Sequence, residues 1–132
     1  MKVLIADPDG RFADQATRHL ESHAHNVVHQ PSPWAALERI DHWQPDLIIV
    51  SAELTASGIL ERIAALPSRP AVLLTEQMDR YDRAWRAWQR GGDELLLKPL
   101  LHRDDLPDAI LAAMENAASG TRPHRRQVAA SA

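Results

Sequence analysis

The chain is 132 residues long, enough for one domain around one core and too short for a second of ordinary size. Apolar residues make up 45% and charged residues 25%, an ordinary globular balance, and a formal net charge of −3 gives no pull toward nucleic acid or an anionic membrane. The absence of cysteine excludes disulfides and thiolate metal sites, and no apolar stretch approaches the roughly 20 residues of a membrane helix.

Short apolar runs alternate with helical patterns along the chain, which reads as a parallel sheet covered on both faces. The first strand is expected over Lys2 to Ala6. Charged Asp7 and Asp9 follow too soon for a signal peptide, and a cytoplasmic location is expected. A helix from about Arg11 to His23 carries Phe12, Ala16 and Leu20 at i, i+4, i+8 on its buried stripe. Asn26 to His29 is a short second strand. Ser32-Pro33 supplies an N-cap and a first-turn proline for a helix through Trp43, with Ala36, Leu37 and Ile40 facing inward. Pro45-Asp46 breaks the chain before the third strand, Leu47 to Val50. A helix from Gly58 to Leu66 uses Ile59, Ile63 and Leu66, and Pro67 stops it. The fourth strand is Ala71 to Leu74. The helix after it runs from about Asp79 to Arg90, with Tyr81, Ala84, Trp85 and Trp88 on one side and Gly91-Gly92 at its end. Glu94 to Leu97 is the fifth strand. The last helix spans about Arg103 to Ala118, with Leu106, Ile110, Met114 and Ala117 as its stripe and Pro107 tolerable only in its first turn. Five strands and five interleaved helices give a single doubly wound α/β domain over residues 1–118, flavodoxin-like (βα)5, with strand order 2-1-3-4-5. Residues 119–132 lack apolar periodicity and read as a flexible tail or linker.

In open α/β sheets, sites form at the carboxyl ends of strands. Asp7 follows the first strand, Ser51 the third, Thr75 the fourth, and Lys98-Pro99 the fifth. Only two lysines accompany thirteen arginines, and one of the two is Lys98. An acid, a hydroxyl and Lys-Pro at these ends, with Pro45-Asp46 before the third strand and Gly91-Gly92-Asp93-Glu94 before the fifth, resemble the receiver domain of two-component response regulators. The resemblance covers about residues 2 to 118. It implies a phosphorelay module in which an aspartate at the third strand end takes a phosphoryl group in line. Mg²⁺ then bridges that aspartate to two acids, and a hydroxyl and a lysine hold the phosphoryl oxygens. It also implies a cis Lys98-Pro99 peptide.

Matched position by position, Asp7 takes the place of the first metal-pair acid, Thr75 of the hydroxyl and Lys98 of the lysine. The second acid is replaced by Pro8, with Asp9 one position on, and Leu95 stands where many members have a switch aromatic. Ser51 stands in place of the phosphoacceptor aspartate, and the loop from Ala52 to Gly58 is one residue short and lacks the family's proline. A serine hydroxyl is un-ionised at neutral pH and needs a base to attack. Its presence also removes a carboxylate from a hard-cation site. The expected reading is therefore a pseudo-receiver, not an enzyme, that signals without phosphorylation through a protein partner or as a homodimer. No cofactor is expected, and Asp7 and Asp9 hold Mg²⁺ only weakly if at all. Two alternatives stay open: a Mg²⁺-dependent phosphoacceptor that uses Glu53, and an anion or metabolite site at Lys98 and Thr75. The bland reading is also open, with Asp7 capping the first helix, Thr75 ending a strand and Lys98 acting as a structural cation.

In the family the fourth helix, fifth strand and fifth helix commonly dimerise or dock partners. Trp and Arg are enriched at interface anchors, which makes Arg83, Arg86, Trp85 and Trp88 interface candidates, against packed indoles and solvated arginines. His19 and His23 at i, i+4, with His25 close by, have zinc spacing but no evident further ligand, and solvated histidines are expected. Arg122, Arg125 and Arg126 are too few for a nucleic-acid arm and fit a linker to a missing C-terminal output domain.

Overall fold

The computed structural model describes residues 1–120. The expected tail, apart from its first two residues, and its arginine cluster lie outside the described residues. Five strands, β1 (Lys2–Ala6), β2 (Asn26–Gln30), β3 (Leu47–Ser51), β4 (Ala71–Gln77) and β5 (Glu94–Lys98), alternate with five helices. These are α1 (Gly10–Ser22), α2 (Pro33–Trp43), α3 (Ile59–Ala64), α4 (Tyr81–Arg90) and α5 (Asp105–Ser119). All pairings are parallel, in the order β2-β1-β3-β4-β5, the flavodoxin-like arrangement.

Strand side chains alternate between two cores, as a sheet buried on both faces requires. Val3, Ile5, Leu47, Ile49, Ala71 and Leu73 face α1 and α5, where Phe12, Ala16, Leu20, Leu106, Ile110 and Ala113 meet them. Leu4, Ala6, Ile48, Val50, Val72 and Leu74 face α2, α3 and α4, where Ala36, Ile40, Ile59, Ile63 and Ala87 close the second layer. The continuous apolar run of β3 follows from this position: all five of its residues are buried.

The helix ends obey local chemistry. Ser32 accepts from Ala35 N–H at 3.2 Å with Pro33 in the first turn of α2. Pro107 lies in the first turn of α5, after N-cap Asp104, where its missing N–H costs nothing. Asp9, not Asp7, caps α1, accepting from Phe12 N–H at 3.2 Å. The α3 helix, Ile59–Ala64, is shorter than the Gly58 to Leu66 its apolar spacing implies: Gly58 is its N-cap and Ala65 its C-cap, and a six-residue 3-10 stretch, Ala52–Ser57, fills the chain between β3 and Gly58. On α4 the inward residues are Ala84 and Ala87, with Trp88 half-buried against the core, while Tyr81 and Trp85 are exposed. The expected stripe of Tyr81, Ala84, Trp85 and Trp88 is thus rotated outward. Gly92, at φ +127°, lets β5 start hard against Leu74; a Cβ there would stand 2.7 Å from Leu74 Cδ1.

Candidate functional site

The register of the sheet carries four chemically distinct residues to one edge. Ala6 pairs with Val50, so Asp7 and Ser51 leave neighbouring strands side by side. Ser51 pairs with Thr75, and Gln77 with Lys98. Strand β4 runs three residues past the expected end, so Thr75 lies within the strand and its side chain is fixed by the ladder.

Asp7 is the centre of the arrangement and is wholly buried. Its Oδ2 accepts the Thr75 hydroxyl at 2.9 Å and the Lys98 ammonium at 3.0 Å, and its Oδ1 accepts Asp9 N–H at 2.9 Å. Lys98 Nζ reaches Asp9 Oδ2 as well, at 3.2 Å, and lies 4.8 Å from the centroid of the Phe12 ring. Burial raises the Asp9 carboxyl, but the Phe12 N–H and the Lys98 ammonium outweigh it and hold the group below its usual pKa. The Lys98–Pro99 peptide is cis, as the sequence resemblance implied. A cavity of about 360 Å³ opens beside Lys98, between Asp9, Arg11, Phe12, Gln77 and Pro99.

Ser51 is buried and turned toward its own backbone: its Oγ accepts Glu53 N–H at 3.2 Å and caps the 3-10 stretch. Glu53 is exposed, so its carboxylate is not drawn into the buried cleft. Leu95, at the switch position, is half-buried against the α4-side core.

A resident Mg²⁺ needs several free oxygen ligands at about 2.0–2.1 Å. Here each oxygen of Asp7 and Asp9 already accepts a hydrogen bond, and the third strand end offers a hydroxyl in place of a carboxylate. A magnesium ion does not fit this donor set as it stands.

Two residues at this end of the sheet were not singled out from the sequence. Glu76, next to Thr75 on β4, is 2% exposed and takes a bidentate ion pair from Arg83 Nε and Nη2 of α4, the latter at 3.0 Å. The Glu76 hydrogen bond raises the Arg83 guanidinium above its usual pKa, against burial. A glutamate continuing an apolar strand was the available signal. The other is His29, on β2, whose Nε2 lies 2.7 Å from the Asp7 carbonyl oxygen; its position beside β1 follows from the Ile5–His29 pairing.

Arg83 is therefore a clamp from α4 onto β4, partly exposed and with its guanidinium committed to Glu76. Arg86 is exposed and pairs with Asp82 at 3.2 Å. Tyr81 and Trp85, i and i+4 on α4, are exposed, as is Met78 just before the helix, while Trp88 is largely turned inward. His19 and His23 pack ring against ring, with centroids 4.6 Å apart. Among the described residues no group of three or more His, Asp or Glu side chains is arranged to hold a metal.

No protein-family model matches the chain, and neither does any curated protein. Solved structures do. A response regulator receiver domain protein from Clostridium thermocellum superposes with a TM-score of 0.73 at 23% identity, over 89% of this chain and 96% of that one. The fold is that of a response-regulator receiver domain. A signal receiver domain from Bermanella marisrubri gives 0.71 at 19% identity, over 83% of this chain and 94% of that one. NtrX from Brucella abortus gives 0.78 at 20% identity, with 97% of this chain matching 28% of that longer one. The receiver-fold neighbours thus include both isolated domains and a domain within a larger protein.

Proposed function

We propose that this domain is a receiver-type signalling module that has given up phosphoryl transfer and acts through contact with a protein partner or a second copy of itself. The observation that carries this reading is the state of the strand-end cleft. A phosphoacceptor needs a nucleophile facing a free lysine and hydroxyl. Here Thr75 donates to Asp7, Lys98 donates to both Asp7 and Asp9, and Ser51 Oγ is held by Glu53 N–H, with no base bonded to it among the described residues. The exposed carboxylate of Glu53 leaves the non-standard acceptor without its lysine and hydroxyl partners. The same commitments argue against an anion site at Lys98 and Thr75.

The contact surface of this reading is the α4 side, where Met78, Tyr81 and Trp85 are 45%, 60% and 41% exposed. Large apolar side chains grouped on a surface are interaction candidates, and Arg86 adds a charged rim. A C-terminal output domain beyond the described residues belongs to the same proposal, in keeping with the longer neighbour. Incubation with Mg²⁺ and either acetyl phosphate or a histidine-kinase phosphodonor, followed by intact-mass analysis, tests it. The expected spectrum is unchanged; a gain of one phosphoryl group overturns the reading.

A further inference from the structure

Two carboxylates and one ammonium occupy the cleft, and their placement has a consequence for metal binding. Asp7 is wholly buried and Lys98 is 5% exposed, so each needs the other's charge. The ammonium is almost equidistant from the two acids, 3.0 Å from Asp7 Oδ2 and 3.2 Å from Asp9 Oδ2, the station a cation shared by both would take. The loop that holds the acids is rigidly tied. Asp9 N–H is bonded to Asp7, Asp9 caps α1, and Thr75 steadies the remaining lone pairs of Asp7. The pair is preorganised around a cation, and that cation is covalently part of the chain.

We infer that Lys98 is the resident cation of this cleft, excluding divalent metals, and that its removal unmasks Asp7 and Asp9 as a divalent-cation site. A second cation cannot enter beside a buried ammonium without like-charge repulsion in a poorly screened environment. It would also have to take oxygens already bonded to Thr75, Asp9 N–H and Phe12 N–H. With the ammonium gone, two buried or half-buried carboxylates face one another unneutralised. A hard divalent ion with carboxylate and water ligands is the chemistry that relieves them. This deepens the reading of the cleft as closed, but its failure is separable: phosphoryl uptake is read by mass and metal uptake by melting.

The test uses the full chain and MnCl₂ or MgCl₂ up to 10 mM, about a usual solution range for weak carboxylate sites, against NaCl of equal ionic strength. Wild type is expected to melt at the same temperature in all three salts and to show no bound Mn²⁺ by electron paramagnetic resonance. Lys98→Met is expected to melt lower in NaCl. It should then recover by roughly 5 °C or more at the highest Mn²⁺ concentration, the shift expected for a dissociation constant of about 0.1 mM or tighter. Adding Asp9→Asn to Lys98→Met should abolish the recovery, which separates the acid pair from stray surface binding. If Lys98→Met does not fold in NaCl, refolding by Mn²⁺ supports the inference. If it does not fold in either salt, Lys98→Gln, which keeps an amide donor toward Asp7, takes the same series. A wild-type shift with either metal beyond the NaCl control overturns the inference. So does a foldable Lys98 variant without a metal response, whatever the mass spectrum shows.

Discussion

Removing the guanidinium from Arg83 should cost far more than losing a surface charge. Glu76 is 2% exposed as a side chain, and Arg83 is its bidentate partner at 29% exposure. Breaking a buried pair by deleting one partner costs about 3–5 kcal/mol, because the remaining charge is stranded. Two features lower the figure here: the guanidinium is partly wet, and Glu76 Oε1 keeps the Gln77 N–H at 2.7 Å. Arg83→Leu is therefore expected to lose about 2–3 kcal/mol, read as a shift in the urea midpoint at unchanged slope. That corresponds to roughly 6–12 °C in melting temperature for a domain of this size. The double variant Glu76→Leu/Arg83→Leu removes the stranded charge as well and should recover part of the loss, a coupling of at least about 1 kcal/mol in the mutant cycle. A loss under about 0.5 kcal/mol for Arg83→Leu, the range of ordinary surface changes, would refute the clamp. The same geometry makes Arg83→Glu unsuitable for testing an interface, since it sets two carboxylates against each other inside the domain.

Acidification should weaken the fold through the histidine cluster near the N-terminus. Burial, and then the charge of His23, lowers the pKa of His19; burial, the N-terminal ammonium, His23 and His19 lower that of His25. A base whose folded pKa is lowered contributes stability that is complete above the unfolded value of about 6.5 and is lost as pH falls below it. The urea midpoint should fall between pH 7 and 5, and His19→Asn/His25→Asn should flatten that slope; an equally steep slope in the double variant rules the cluster out. Ser51→Asp should also destabilise, because it adds a third carboxylate at a buried position beside Asp7 with only Lys98 to neutralise them. A loss of about 1 kcal/mol or more in metal-free buffer at pH 7 is the expected result, and stability equal to wild type at that pH contradicts it.

The architecture was legible because its signals are local and repeated. Each apolar run is bounded by Pro, Gly or an acid, and each helix carries its own stripe. The placement of Asp7, Thr75 and Lys98 at one sheet edge follows from strand order alone. What the sequence did not show depends on pairings across the sheet. The one hint in the run from Ala71 to Gln77 is Glu76 itself, a glutamate continuing an apolar strand, and nothing local shows that it will be neutralised from α4, seven residues on. The outward turn of Tyr81 and Trp85 was missed for a similar reason. Periodicity gives the spacing of a stripe, but small Ala84 and Ala87 set which side of α4 can lie close to the sheet. The cap on α1 falls to Asp9 and not to Asp7, because capping depends on where α1 begins and the two acids differ by only two positions.

The persistence of an acid, a hydroxyl and a lysine at the strand ends does not by itself argue for phosphoryl chemistry. A carboxylate as deeply buried as Asp7 would be costly without a counter-charge and hydrogen bonds, and Lys98 and Thr75 supply them. Lys98, equally enclosed, would be costly without Asp7. Each member of the set is held in place by the burial of another, so folding and catalysis make the same demand on these three residues. Position 51 is where the two demands part. Among the described residues its side chain bonds only to Glu53 N–H, and it neutralises nothing in the cleft, so a hydroxyl serves the fold there. The residue free of the charge network is thus the one at which a receiver scaffold can lose its chemistry while keeping its structure.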